Sequence, residues 1–92
     1  MPWGGKKIMS ITIYTKRMCA YCTAAKQLLE TQGYQYDEIA LDTDFELARE
    51  VMKRSGQRTV PQIFVGEHSV GGYQELHQQV SSGEFATLVG QA

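Results

Sequence analysis

The sequence predicts a single α/β domain, a four-stranded mixed sheet flanked by helices in the order βαβαββα. Three observations carry that expectation. Short runs rich in β-branched residues alternate with helical patterns over the first half of the chain, which requires a parallel strand pair and a right-handed crossover. Further on, the tight Gly66-Glu67-His68 turn joins two runs directly and so makes an antiparallel pair. The length, 92 residues, suits one domain with one modest core.

Ser10-Ile11-Thr12-Ile13-Tyr14 alternates and is β-branched, so it reads as the first strand. A polar loop, Thr15 to Met18, leads to two cysteines. Ala24, Ala25, Leu28 and Leu29 then recur at helical spacing, and Gly33 supplies a stop. The first helix therefore runs from Cys19 or Ala20 to Gln32. Tyr34 to Ala40 reads as a second strand. Asp42 or Thr43 is the expected cap of a second helix, with Phe45, Leu47, Ala48, Val51 and Met52 as its apolar residues and Ser55-Gly56 as its end. Thr59 to Val65 forms a third strand and Ser69-Val70 a short fourth. After Gly71-Gly72 a last helical region runs from Tyr73 towards Val89, with a break expected near Ser82-Gly83. Met1 to Ile8 is expected to be a flexible leader or an expression scar ahead of a domain spanning residues 9–92, with Met9 as the natural start.

Composition is that of an ordinary globular chain, with 42% hydrophobic and 21% charged residues. A net charge of −1 gives no bulk attraction to nucleic acid or to a membrane surface. The distribution is uneven: every charge from Lys16 to Lys26 is positive, whereas Asp37 to Glu46 is purely acidic. A substrate approaching the first stretch is expected to meet a cationic surface. No run is apolar enough to span a bilayer, and no charged-then-apolar leader opens the chain. The expected setting is the cytoplasm, with the protein a monomer. In that reducing compartment a Cys-x-x-Cys pair points to redox chemistry or a metal rather than a structural disulfide.

The pair Cys19-Ala20-Tyr21-Cys22 falls at a strand-to-helix junction. Thiol exchange requires a thiolate, and a helix N-terminus favours one through its unpaired N–H groups and the positive end of its dipole. Lys16 and Arg17 add positive charge in the same loop. Cys19 is therefore the expected nucleophile. Cys22, one turn along the same face, is the expected resolving thiol, more buried and less ionised.

Together with Tyr14-Thr15-Lys16, Thr59-Val60-Pro61 and Gly71-Gly72, this motif resembles the glutaredoxins of the small dithiol bacterial type. The similarity runs over nearly everything from Met9 onward. It implies the thioredoxin fold, and a glutathione-dependent disulfide oxidoreductase acting on protein–glutathione mixed disulfides and on protein disulfides. It also implies a cis Pro61 facing Cys19, with the Val60 backbone pairing with the cysteinyl part of glutathione. The resemblance also implies that Tyr21, Thr59 and Tyr73 line that groove; from the residues alone, Tyr21 and Tyr73 could equally pack their own helices and Thr59 be an ordinary strand residue. The glycine carboxylate of glutathione would meet Lys16 and Arg58, with Arg49 and Gln57 as lesser contributors. The γ-glutamyl carboxylate would rest on backbone N–H groups of Gly72, Tyr73 and Gln74. Only Glu75 supplies an acid for the glutathione amino group, and its register there is open. The motif also departs from the family's common form: Ala20 stands where proline is usual, restoring an N–H donor at the first helical position. In some members a small residue there accompanies a glutathione-ligated [2Fe-2S] cluster bridging two subunits, so a cluster-binding or cluster-delivery protein using Cys19 is the alternative reading.

Other readings fit less well. A zinc site needs four ligands, and only His68 and His77 remain to complete one, at a spacing that matches no common finger. A thioredoxin-like protein recycled by a reductase protein would not need Tyr21 in the motif or basic residues suited to glutathione carboxylates.

Overall fold

A computed structural model describes residues 9–90; the expected leader, residues 1–8, lies outside the described residues. Eight elements follow one another: β1 (Ile11–Thr15), α1 (Ala20–Thr31), β2 (Asp37–Ala40), α2 (Phe45–Ser55), β3 (Gln62–Val65), β4 (His68–Gly71), α3 (Tyr73–Ser82) and α4 (Glu84–Val89). They build one four-stranded sheet in the order β2-β1-β3-β4. β1 and β2 are parallel, with Thr15 opposite Ala40, whereas β1–β3 and β3–β4 are antiparallel. The mixed α/β sheet is thus the one the sequence predicts.

Alternation along the strands decides which helices cover which face. Ile11, Ile13, Ile63 and Val65 point to one side, where Ala25 and Leu29 of α1, Leu76 of α3, and Phe85 and Val89 of α4 close over them. Tyr14 and Phe64 point to the other side, against Leu41 and against Ala48 and Val51 of α2. The active end of α1 is therefore anchored from below by a helix face whose Ala25 and Leu29 are fully buried.

Several boundaries differ from expectation. The cap of α2 is Asp44, whose carboxylate accepts the Leu47 N–H at 3.0 Å; Asp42 instead accepts the Arg17 N–H, also at 3.0 Å. Starting there puts Phe45 at the first helical position, outside the apolar stripe, and leaves it 78% exposed rather than in the core. β2 begins only at Asp37, where pairing with Thr12 starts, and Tyr34 packs edge-on against Phe85 instead. The last helical region, by contrast, divides where a break is expected, into two helices at Gly83 with φ 88°. β3 is shorter than expected, and Thr59 to Pro61 stand ahead of it as irregular chain.

Candidate active site

Cys19 is the N-cap of α1. Its extended backbone (φ −117°, ψ 105°) lets the sulfur fold back over the first turn, where it accepts the Cys22 N–H at 3.1 Å. Sulfur here takes the place that Ser or Asp oxygen takes at other helix starts. A thiolate in that position gains a charge-assisted hydrogen bond and the favourable end of the helix dipole. The preceding residue, Met18, has φ 54° and a fully exposed side chain, the one non-glycine residue in the left-handed region among those described. That turn brings Cys19 to the surface at the end of β1.

Cys22 has the opposite environment. It is 2% exposed, and burial, followed by its hydrogen bond with Cys19, pushes its thiol up to about 12. The Lys16 backbone amide and the Lys26 ammonium act in the other direction. The two sulfurs therefore differ as the motif suggests: one at a helix mouth, the other held protonated beneath it. Both are free thiols.

Across from Cys19 lies the segment before β3. The Val60-Pro61 peptide is cis, and the Cys19 thiol approaches the Val60 carbonyl at 3.9 Å. Gln62 fixes that segment from inside the sheet, its amide donating to the Gln57 carbonyl at 3.1 Å, while Ser55 Oγ accepts the Gln57 N–H at 3.0 Å. Beside it opens a groove of about 320 Å³ lined by Tyr21, Thr59, Val60, Pro61, Gly72, Tyr73, Gln74 and Glu75. Residues from α1, from the segment before β3 and from the start of α3 thus meet in one place. The rings of Tyr21 and Tyr73 stand 5.9 Å apart.

None of the four residues expected at the glycine carboxylate, Lys16, Arg58, Arg49 and Gln57, is in that wall. Lys16 lies in the loop after β1, where it lines a separate cavity and, with Arg49, a recess beside Phe45. Arg58 is exposed, next to Thr59 at the rim. Glu75 is engaged locally: its carboxylate accepts the Gly72 N–H at 2.9 Å, the acid's half of a capping box, glycine having no side chain to supply the other. The donor expected for a ligand carboxylate is therefore occupied by the protein's own.

Nor is the surface around Cys19 uniformly cationic. The parallel pairing of β1 and β2 carries the acidic stretch alongside the basic one, so Arg17 meets Asp42 at 3.7 Å and Lys26 meets Glu38 at 3.1 Å. Among the described residues Lys16 is in no ion pair. Thr15, buried in β1, donates to Glu38 Oε2 at 2.8 Å. That hydrogen bond, with the two from Lys26, holds the Glu38 carboxyl below the usual carboxylate range. Sequence reasoning passed over Thr15, Lys26 and Glu38; the available signal was Lys26 standing four residues after Cys22 on one helix face. His68 opens β4 and His77 lies against Tyr73 on α3, and among the described residues no three His, Cys, Asp or Glu side chains converge as a metal site.

Known proteins share this arrangement. The family model described as Glutaredoxin matches residues 11–70. A glutaredoxin of Pseudomonas aeruginosa is 43% identical over 79 residues, covering 86% of this chain and 94% of that protein. The solution structure of glutaredoxin from Brucella melitensis superposes with a TM-score of 0.82 at 36% identity, covering 96% of each chain. The crystal structure of a buckwheat glutaredoxin–glutathione complex superposes with a TM-score of 0.79 at 26% identity, over 88% of this chain and 76% of that one. With the Cys-x-x-Cys helix mouth, the cis Pro61 segment and the two-faced sheet all in place, the chain belongs to the glutaredoxin family, generally thiol–disulfide oxidoreductases.

Proposed function

We propose that this protein reduces protein–glutathione mixed disulfides and protein disulfides, with glutathione as the electron donor. The observation that carries the reading is the groove lined by Val60 and Pro61, with the Val60 carbonyl 3.9 Å from the Cys19 sulfur. An extended cysteinyl backbone can pair there as an added strand, which aligns its sulfur with Cys19. Cys19 attacks the disulfide, and the protein thiol leaves as a thiolate. The resulting Cys19–glutathione disulfide is then cleared by a second glutathione, or by Cys22 when the route passes through an internal disulfide. Tyr21 and Tyr73 flank the ligand, and Gly72, Tyr73 and Gln74 offer backbone N–H groups to the γ-glutamyl carboxylate. Because Glu75 occupies the Gly72 N–H, binding there requires its carboxylate to yield. The groove wall carries no cation, so Arg58 meets the glycine carboxylate from the rim. The glutathione complex of the buckwheat relative supports this reading. A reducing cytoplasm, with its glutathione pool, is the setting in which such a monomer would work.

Glutathione-coupled turnover on a glutathionylated peptide and on a non-glutathione disulfide tests the proposal. The wild type is expected to favour the glutathionylated peptide. Arg58→Ala is expected to lose several-fold in kcat/KM on that substrate alone, since a partly exposed charge-assisted contact is worth roughly 1 kcal/mol. Equal loss on both substrates would assign Arg58 to the fold, and absence of any glutathione dependence would overturn the proposal.

A further inference from the structure

A second cavity, of about 590 Å³, shares no lining residue with the groove and is lined by both cysteines. The charged groups that line it along with Cys22 are Lys16 and Arg17 from the loop after β1, Lys26 from α1, Glu38 from β2 and Asp42 from the segment after β2. Arg17 and Asp42 are paired with each other. Lys26 stands one helical turn beyond Cys22, and its ammonium is not left to wander. Glu38 accepts from it with both carboxylate oxygens, at 3.3 and 3.1 Å, and Glu38 is itself held by Thr15 at 2.8 Å. The Lys26 side chain is 29% exposed, so its field is only partly screened by solvent. An ordinary surface lysine is not built this way; here a buried hydroxyl, an acid and an amine form a chain that ends one helical turn from the resolving thiol, in the cavity that thiol lines.

We propose that Lys26, positioned by Glu38 and Thr15, promotes the resolving step by stabilising the Cys22 thiolate as it attacks a mixed disulfide on Cys19. The inference rests on the oxidoreductase reading above. In the step itself, the Cys22 S–H gives its proton to solvent. The Cys22 thiolate then attacks Cys19 Sγ. A Cys19–Cys22 disulfide forms as the bond from Cys19 to the leaving sulfur breaks, and the departing thiolate takes up a proton from solvent. No outside oxidant or reductant is required. Cys22 starts buried and protonated, so it is the sulfur most in need of a nearby cation. Cys19 already has the helix terminus. Lys26 is accordingly a positioning residue for one branch of the chemistry, the branch that passes through an internal disulfide.

Rapid-quench mass spectrometry of the reduced full-length protein mixed with oxidised glutathione separates the two steps: appearance of the Cys19 adduct, then of the internal disulfide. For Lys26→Gln the ratio of second-step to first-step rate is expected to fall about three- to tenfold, with the pH midpoint of the second step moved upward. Lys26→Arg should restore the ratio, Glu38→Gln should lower it by less, and added salt should shrink the differences. A structural role would slow both steps together and leave the pH midpoint in place. An unchanged ratio in Lys26→Gln, or failure of Lys26→Arg to rescue, would overturn the proposal. Repeating the measurement with a small non-glutathione disulfide keeps the two readings separate. A missing glutathione adduct with normal resolution of the other disulfide counts against the glutathione reading, whereas a Lys26-independent second step counts against this one.

Discussion

At Cys22 the side chain has exchanged water for the packed underside of α1, and at Cys19 it has exchanged water for a backbone N–H. That single difference divides the labour between two identical groups. The division was legible in the sequence, because a Cys-x-x-Cys pair at a strand-to-helix junction places its first member at the helix mouth whatever lies around it. The Lys26–Glu38–Thr15 chain was not legible, since it depends on which residues the parallel pairing of β1 and β2 brings side by side. Its presence has a consequence for pH. Glu38 in the folded protein lies below its ordinary value of ~4.3, held there by Thr15 and Lys26. The folded state therefore favours the ionised carboxylate, and the unfolded chain binds the proton more readily as pH falls. Stability from this group is present above the unfolded value and is lost as pH drops through the folded one. Urea unfolding between pH 6 and pH 3 should show a steeper loss for the wild type than for Glu38→Gln, and parallel curves would remove Glu38 from the account.

Each helix start near the site solves the same problem of unpaired N–H groups by a different device. α1 uses Cys19 sulfur, α2 uses the Asp44 carboxylate, and α3 uses Glu75 reaching back to Gly72. The expected cap of α2, Asp42 or Thr43, fell short of Asp44, because adjacent Asp and Thr residues are all competent caps and the long-range bond from the Arg17 amide to Asp42 is not visible in the sequence. Glu75 shows the reverse. Its spacing from Gly72 admits a capping role, yet the resemblance drew attention to ligand binding instead. Two substitutions separate these duties. Glu75→Ala removes the cap and is expected to cost about 1 kcal/mol, lowering the thermal midpoint by roughly 4–8 °C. Glu75→Gln can keep the hydrogen bond without the charge and should retain most of that stability. Equal midpoints for the two variants, measured by circular dichroism, would mean that the cap contributes nothing.

Over the whole molecule, one sheet covered on both faces sets the site at the end of β1, where α1, the segment before β3 and the start of α3 converge. The strand and helix order was readable from periodicity, since alternation and helical spacing are local. The placement of Lys16 and Arg58 outside the groove wall was not, because it follows from how far the loops after β1 and before β3 swing around Cys19. α4 matters to the site from a distance: Phe85, fully buried, supports Tyr34 edge-on at 5.0 Å within the core under α1. Phe85→Ala is expected to destabilise the fold by about 3–5 kcal/mol, a large part of a small domain's total. Urea unfolding would show it, and a loss under 1 kcal/mol would mean that α4 is not part of the core. The central claim, however, is that Cys19 alone performs the first exchange and receives glutathione. Intact-mass analysis of Cys22→Ser mixed with a glutathionylated peptide tests it most directly. The account predicts release of the reduced peptide and one glutathione on Cys19, cleared by adding free glutathione. Peptide captured on the protein in place of glutathione, or no adduct at all, would contradict it.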